Sequence, residues 1–364
     1  MNNQFIHTQI LLDSPPFLFN SHSSEMFLAS LREMATHHYE KNSFFRFYWK
    51  KKNIHPQDLQ SEEDLKKMPF LLVNLFKNHE MYTGAKEKII LTLGSSGTTG
   101  QRSLIHLDEP SLLNVKKLAY NIHNALGMTS QQKYNYLCFT YDPRVANDLG
   151  TAFTDELLTS FTDKNEVYYT FQHNGNDFIF DQMACVEKLK EFEKSQYPTR
   201  ILGFPAFLYQ LIEEHKLSLN LGENSWVQTG GGWKGQAEKE IPKKQFRKVV
   251  SHALGIPQEN IRDLFGMVEH GVPYVDAYDG RLRIPNYARV LIRDPISLEV
   301  LPNGRQGLIQ LICTYNSSYP AMSLLTTDWG KKISCEQYGD VLELCGRAGI
   351  SKHKGCALKA LELL

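Results

Sequence analysis

From residue 88 onward, runs with strand character alternate with runs at helical spacing, and this constrains the fold more than anything else in the chain. Strand-like stretches fall at 88–93, 134–140, 201–203 and 226–228. Helical spacing occupies 111–126, 182–194, 207–215 and 236–250, the last despite Pro242. Alternation of this kind predicts an α/β fold of sheets and helices. Residues 1–80 read as helical, with Met26, Phe27, Leu28 and Phe44, Phe45 set among charges and a helix opening at Ser61 before Glu62, Glu63 and Asp64. From Arg289 the texture turns to short strands and turns, at 289–292, 307–314 and 341–345. The expected organisation is a core over 1–345, built from a helical opening segment 1–80, an α/β part 81–288 and a β-rich part 289–345. A short tail follows at 346–364.

Composition narrows the function classes. Of 364 residues, 42% are hydrophobic, enough for a sizeable core, so a disordered chain is excluded. Forty Lys and Arg balance forty Asp and Glu, which argues against a nucleic-acid partner or an anionic membrane surface. No window approaches the ~20 apolar residues of a membrane helix, and the first residues lack the basic and apolar regions of a signal peptide. A cytoplasmic protein, not integral to a membrane, is expected. The six cysteines form no C-x-x-C pair, which fits free thiols in a reducing compartment. Cys138, Cys185, Cys313, Cys335 and Cys345 lie in or beside apolar runs and read as core. Cys356 differs: it ends the basic stretch SKHKGC at 351–356, where positive neighbours favour the reactive thiolate. Local composition alone leaves a reactive thiol and a small buried hydrophobe both open.

Four segments carry candidate chemistry. At 94–103 the string GSSGTTGQRS joins Gly97 and Gly100 to the hydroxyls of Ser95, Ser96, Thr98 and Thr99 and the charge of Arg102. Such a loop can fold over a triphosphate, although it is neither a Walker A loop nor a nucleophile elbow; a plain surface loop is the alternative. Gly230, Gly231, Gly232 and Trp233 follow a strand and formally fit a dinucleotide fingerprint, but Pro242 interrupts the helix that should receive the pyrophosphate. A tight turn beside a planar ligand is the better reading. In DLFGMVEH at 263–270, Glu269 near the turn at Phe265 and Gly266 could hold Mg²⁺, or be a solvated strand exit. Asp328, in LTTDWG at 325–330, is a turn residue or an acceptor for ribose hydroxyls.

In this order the segments resemble the adenylate-forming superfamily of acyl- and aryl-activating enzymes: its Ser/Thr/Gly loop at 94–103, Tyr-Gly-x-Thr-Glu motif at 265–269, Thr-Gly-Asp motif at 326–328 and Gly-Arg hinge at Gly346 and Arg347. A closer resemblance covers nearly the whole chain: the acyl-protein synthetases of bacterial bioluminescence operons, or long-chain-fatty-acid–luciferin-component ligases. It is carried by SSGT at 95–98, LGFP at 202–205, TGGGWK at 229–234, SYPA at 318–321 and KGCAL at 354–358. The resemblance implies an ATP- and Mg²⁺-dependent ligase that makes a long-chain fatty acyl-adenylate and moves the acyl group to Cys356. A fatty-aldehyde-forming reductase subunit then takes it, in a complex that can include an acyl-transferase. It places Arg102 at the phosphates, Mg²⁺ at Glu269, Phe265 and the 230–233 turn at adenine, Asp328 at the ribose and Arg347 as a bridge to the nucleotide. Gly203, Phe204 and Phe207 are candidate walls of an acyl tunnel, with core packing as the alternative. The sequence departs from the superfamily at Arg102-Ser103, where Pro-Lys is usual, and at Val268, where Thr is usual. A full C-terminal small domain bearing a catalytic lysine is expected to be lacking, with Lys352 or Lys354 as a substitute. Rival expectations are a ligase using coenzyme A or a carrier protein, a non-catalytic binding subunit and, last, an NAD-binding oxidoreductase.

Overall fold

Parallel strands need cover on both faces, and the apolar positions of the central strands point both ways to meet it. The computed structural model describes residues 5–95, 102–142, 150–173, 178–233, 237–335 and 339–347. It opens with α1 (Ile6–Asp13), α2 (Ser21–Lys41), α3 (Ser43–Lys51), β1 (Leu71–Leu72) and α4 (Leu75–Asn78). Asn20 and Asn42 start α2 and α3 by accepting the amide hydrogens of Ser23 and Phe45, each at 2.9 Å. The segment after Ser61 is a 3₁₀ turn over Glu62–Lys67 instead of an α-helix, its start held by Asp64 accepting from the Ser61 amide.

A two-stranded antiparallel sheet, β2 (Ile89–Gly94) with β3 (Leu104–Asp108), precedes α5 (Glu109–Ala125). The α/β alternation then runs β4 (Ser130–Tyr141), α6 (Gly150–Thr159), β5 (Thr162–His173), β6 (Phe178–Phe180), α7 (Gln182–Glu193), β7 (Thr199–Gly203), α8 (Pro205–His215), β8 (Trp226–Gly230), α9 (Lys243–Leu254) and β9 (Ile261–Phe265). Short strands follow: β10 (Tyr274–Asp276), β11 (Leu282–Arg283), β12 (Ala288–Arg293), β13 (Gly307–Cys313), β14 (Ser323–Ile333) and β15 (Val341–Arg347). One sheet has the order β12-β13-β14-β15-β11-β10-β9-β8-β7-β4-β5-β6, with β1 pairing β14. Its β5, β4, β7, β8 and β9 are mutually parallel, while the β9–β15 half is antiparallel.

Strand periodicity divides the core. Leu137, Phe139, Ile201 and Val227 pack on one face with Leu189 of α7, Leu211 of α8 and Val250 of α9. Tyr136, Cys138 and Leu202 pack on the other with Phe27 and Leu31 of α2 and Leu118 and Ile122 of α5. The α/β class is as the alternation predicts, and four local expectations are corrected. Pro242 caps α9 at its N-terminus, because a residue with no amide hydrogen belongs ahead of the first turn, not inside the helix. Helix α6 and strands β5 and β6 were not anticipated by the spacing. Asp328 lies within β14, not in a turn. Cys138, Cys185 and Cys313 are buried, but Cys335 and Cys345 are partly exposed. Among the described residues no helix is long and apolar enough to cross a membrane.

Gly203 ends β7 at φ +116, opposite Phe139 of β4. A Cβ there would sit 2.7 Å from the Phe139 carbonyl oxygen, a backbone atom that cannot move aside. Gly203→Ala therefore carries both left-handed strain and a backbone clash. The expected destabilisation exceeds about 1 kcal/mol in chemical denaturation. Gly304→Ala also has positive φ, but its Cβ meets nothing within 4 Å, and it should cost less.

Candidate functional site

Parallel strands deliver their carboxyl ends to one edge, and ligands of such sheets bind there. Here β4, β7, β8 and β9 end at a cavity of about 310 Å³ that Thr140, Gly203, Thr229, Gly230 and Leu264 help line. Its floor continues through Gly266, Met267, Val268 and Glu269, and its far wall through Thr327, Asp328 and Arg347. Ser95 at the end of β2 and Lys77 at the end of α4 close one side. Val115 and Ala119 of α5 and Phe153, Leu157 and Leu158 of α6 add apolar lining. The cavity thus brings polar side chains, Glu269, Asp328 and Arg347 among them, together with apolar ones at the strand ends.

Antiparallel pairing of β14 and β15 sets Asp328 opposite Arg347. Arg347 Nε donates to Asp328 Oδ1 at 2.9 Å, while Asp328's own amide donates to Thr326 Oγ1 at 3.1 Å. The arginine is 47% exposed and the aspartate 13%, so the ion pair adds at most about 1 kcal/mol to stability. Its consequence is positional: it fixes a charged pair on the cavity wall. Glu269 is only 7% exposed. Burial pushes its carboxyl above the usual carboxylate range, opposed by Ser103, its own amide, Lys77 and Arg347. Its carboxylate form therefore gains from any further positive charge. Among the described residues no group of three or more His, Cys, Asp or Glu side chains is arranged to hold a metal ion. A single buried carboxylate could hold Mg²⁺ where a bound nucleotide and water supply its other ligands.

Several residues singled out in the sequence meet here: Ser95, Gly203, Phe204, Gly230, Gly231, Gly266, Glu269, Asp328 and Arg347 all line the cavity. Gly231, at φ +78, brings its backbone so near Phe204 that a Cβ would lie 2.8 Å from the ring. Others do not line it. Phe207 packs on the opposite face of the sheet, edge-on to Phe171 and Phe180 at 4.8 and 5.1 Å, because that face of α8 is core. Trp233 is buried between Tyr209 and Phe246, and Phe265 packs beside Tyr274 at 5.9 Å. Gly232 and the half-buried Arg102 also lie off the lining. Ser96, Gly97, Thr98, Thr99, Gly100, Lys354 and Cys356 fall outside the described residues.

The sequence reading missed Lys77, His123, Thr140, Asp155 and Gln228, all on the lining. No local motif marks them, since each is a single polar residue within an otherwise ordinary element. His123 is fully buried. Its Nδ1 donates to the Ala119 carbonyl at 2.7 Å, leaving Nε2 to accept from Gln228 Nε2 at 3.0 Å. Burial, reinforced by Arg200, lowers it to about 4, so the ring stays neutral.

Comparison with known proteins followed from this geometry. The model of the family described as "Acyl-protein synthetase, LuxE" matches residues 2–364. A long-chain-fatty-acid–luciferin-component ligase of Vibrio harveyi is 23% identical over 331 residues, covering 88% of this chain and 84% of that protein. One of Aliivibrio fischeri is 24% identical over 345 residues, covering 92% and 87%. A phenylacetate-coenzyme A ligase of Pseudomonas putida is 23% identical over 324 residues, covering 83% and 64%. Among solved structures, a 2-hydroxyisobutyryl-CoA ligase in its postadenylation state superposes with a TM-score of 0.71 at 14% identity, over 92% of this chain and 69% of that one. That likeness establishes the adenylate-forming fold.

The buried histidine sets an acid limit. Its folded pKa lies below the ordinary 6.5, so the stability it confers is complete above pH 6.5. That stability is lost as pH falls toward 4, where only the unfolded chain takes up the proton. Between pH 7 and pH 5, His123→Gln should lose about 1–2 kcal/mol less stability than the unaltered protein, read by denaturation at the two values.

Proposed function

This chain belongs to the acyl-protein synthetase family, LuxE, a family of ligases with the adenylate-forming fold, and we propose that it activates a long-chain fatty acid with ATP and carries the acyl group on Cys356 to a partner reductase. The observation that carries the reading is a single cavity lined both by Glu269, Asp328 and Arg347 and by apolar side chains of α5 and α6. A reaction joining a nucleotide to a hydrocarbon acid needs both environments within bonding distance of each other.

In the first half-reaction, a carboxylate oxygen of the acid attacks the α-phosphorus of ATP. The bond to the β-phosphate breaks, pyrophosphate leaves, and acyl-AMP remains. Such chemistry is mostly positioning and charge neutralisation. Asp328 would accept hydrogen bonds from the ribose hydroxyls, and Arg347, held by Asp328, would set its positive charge beside the nucleotide. The backbone of Gly230 and Gly231 leaves room for a flat base against the β8 turn. The loop at 94–103, with Ser95 at its start and Arg102 at its end, would gather the β- and γ-phosphates. Glu269 is the carboxylate suited to Mg²⁺, which when bound would neutralise phosphate charge. Lys77 adds a cation on the same side.

In the second half-reaction, the Cys356 thiolate attacks the acyl carbon, AMP leaves as the carbon–oxygen bond breaks, and the thiol proton passes to solvent or a nearby base. Arg347 stands on the cavity wall nine positions before Cys356. Nine residues span up to about 30 Å, so the chain's own connectivity permits the thiol to reach the adenylate. Lys354 would supply positive charge beside that thiol. The thioester is then the donor to a reductase subunit that releases a fatty aldehyde, with an acyl-transferase as a further member of the complex. Similarity to phenylacetate-coenzyme A ligase favours a second acceptor, coenzyme A, as the competing reading.

Incubation with labelled fatty acid, ATP and Mg²⁺ separates the two. Self-acylation predicts hydroxylamine-labile label on the protein, absent from Cys356→Ala while fatty-acid-dependent ATP–pyrophosphate exchange persists. Label indifferent to Cys356, with product appearing on coenzyme A, contradicts it. Asp328→Ala should lower exchange about tenfold to a hundredfold, the worth of a charge-assisted hydrogen bond at the reacting nucleotide.

A further inference from the structure

The cavity's apolar lining is interrupted by two buried polar groups. Asp155 of α6 and Thr140 of β4 both line it, at 6% and 4% exposure. Asp155 Oδ2 and Thr140 Oγ1 lie beside each other, and neither makes a well-formed hydrogen bond within the protein. Buried polar atoms in folded proteins are nearly always well satisfied, so two that have only each other on one cavity wall leave capacity for a ligand group. Phe153, Leu157 and Leu158 on α6 and Val115 and Ala119 on α5, which line the same cavity, offer no donor or acceptor, and Thr154 next to Asp155 adds a further hydroxyl. An unadorned hydrocarbon chain would leave Asp155 and Thr140 with only each other.

We propose that Asp155 and Thr140 form a polar subsite that hydrogen-bonds a hydroxyl carried on the acyl chain, so that the acid this protein activates is a hydroxylated fatty acid. The inference rests on the synthetase reading above and names its substrate class. A hydroxyl matches both partners, because it donates to one oxygen while accepting from the other. Burial also pushes the Asp155 carboxyl up to about 7, with Thr140 opposing the shift. At neutral pH a large fraction of Asp155 is therefore the uncharged acid, able to donate as well as accept. The two residues come from different elements, β4 and the helix α6 packed against it. The subsite is therefore selective for where along the chain the hydroxyl sits. Asp155 touches no reacting atom in this scheme; it sets specificity through the far part of the substrate.

The test is ATP–pyrophosphate exchange with hexadecanoic acid and with its monohydroxylated positional isomers, measured as kcat/KM on the full chain. The unaltered protein should use at least one positional isomer about tenfold or more better than the parent acid, within the discrimination that hydrogen-bonding sites reach. Asp155→Leu should reverse that order, raising use of the parent acid relative to the favoured isomer. Asp155→Asn, which keeps a donor and an acceptor, should retain the preference, as a merely structural role would not require. Thr140→Val provides an independent second variant and should weaken the preference in the same direction. If the parent acid matches every isomer in the unaltered protein, and neither Asp155→Leu nor Thr140→Val changes the ratios, the polar subsite is overturned while the synthetase reading stands. If no acid of either kind supports exchange, the synthetase reading falls and the subsite with it.

Discussion

The register of β14 against β15 decides what the site can do. Antiparallel pairing puts Asp328 and Arg347 side by side, with a hydrogen bond of 2.9 Å between them. The same pairing anchors the last described strand to the cavity wall, a short distance along the chain from Cys356. A one-residue slip of β15 would turn Arg347 to the other face of the sheet and leave Asp328 without its partner. The pair's own stability is small, so its placement is what matters.

The parallel half of the sheet supplies the second ingredient. Strands β4, β7, β8 and β9 end together, and two glycines there let backbone come close: Gly203 against Phe139 and Gly231 against Phe204. Larger residues would push the strand ends apart and fill the space a substrate needs. Helices α5 and α6 add apolar side chains to the lining, so one cavity holds charged and apolar groups together. Proximity of those environments is the physical basis for joining an acid to a nucleotide.

Much of this was legible in the sequence where local chemistry is distinctive. Glycines flanked by hydroxyls, the carboxylate after an aromatic-glycine turn, and Asp328 and Arg347 stand out because few structural roles need those types together. That two of them form one ion pair was not legible, since pairing of β14 with β15 is a long-range event. Helix α6 escaped notice because its ten residues open on Gly150 behind Asn147 and Asp148, residue types that read as a turn, and not for want of a helical period. Strand β5 mixes charged and aromatic residues without clean alternation, as the last long strand before a three-residue edge can. Asp155 was invisible for a different reason: burial, not residue type, gives it meaning. Phe207 shows the converse. An aromatic run beside a glycine looks like a tunnel wall, yet Phe204, at the N-cap of α8, lines the cavity while Phe207, a turn into the helix, packs against Phe171 and Phe180 in the core.

The central claim is that one cavity holds nucleotide and acyl chain end to end. A crystal structure with a non-hydrolysable acyl-adenylate analogue tests it most directly. The account predicts the ribose on Asp328, the linkage between acyl group and nucleotide near Arg347 and Glu269, and the hydrocarbon running between β4 and α6. An analogue bound with its chain along the outer surface, or its ribose away from Asp328, would contradict it.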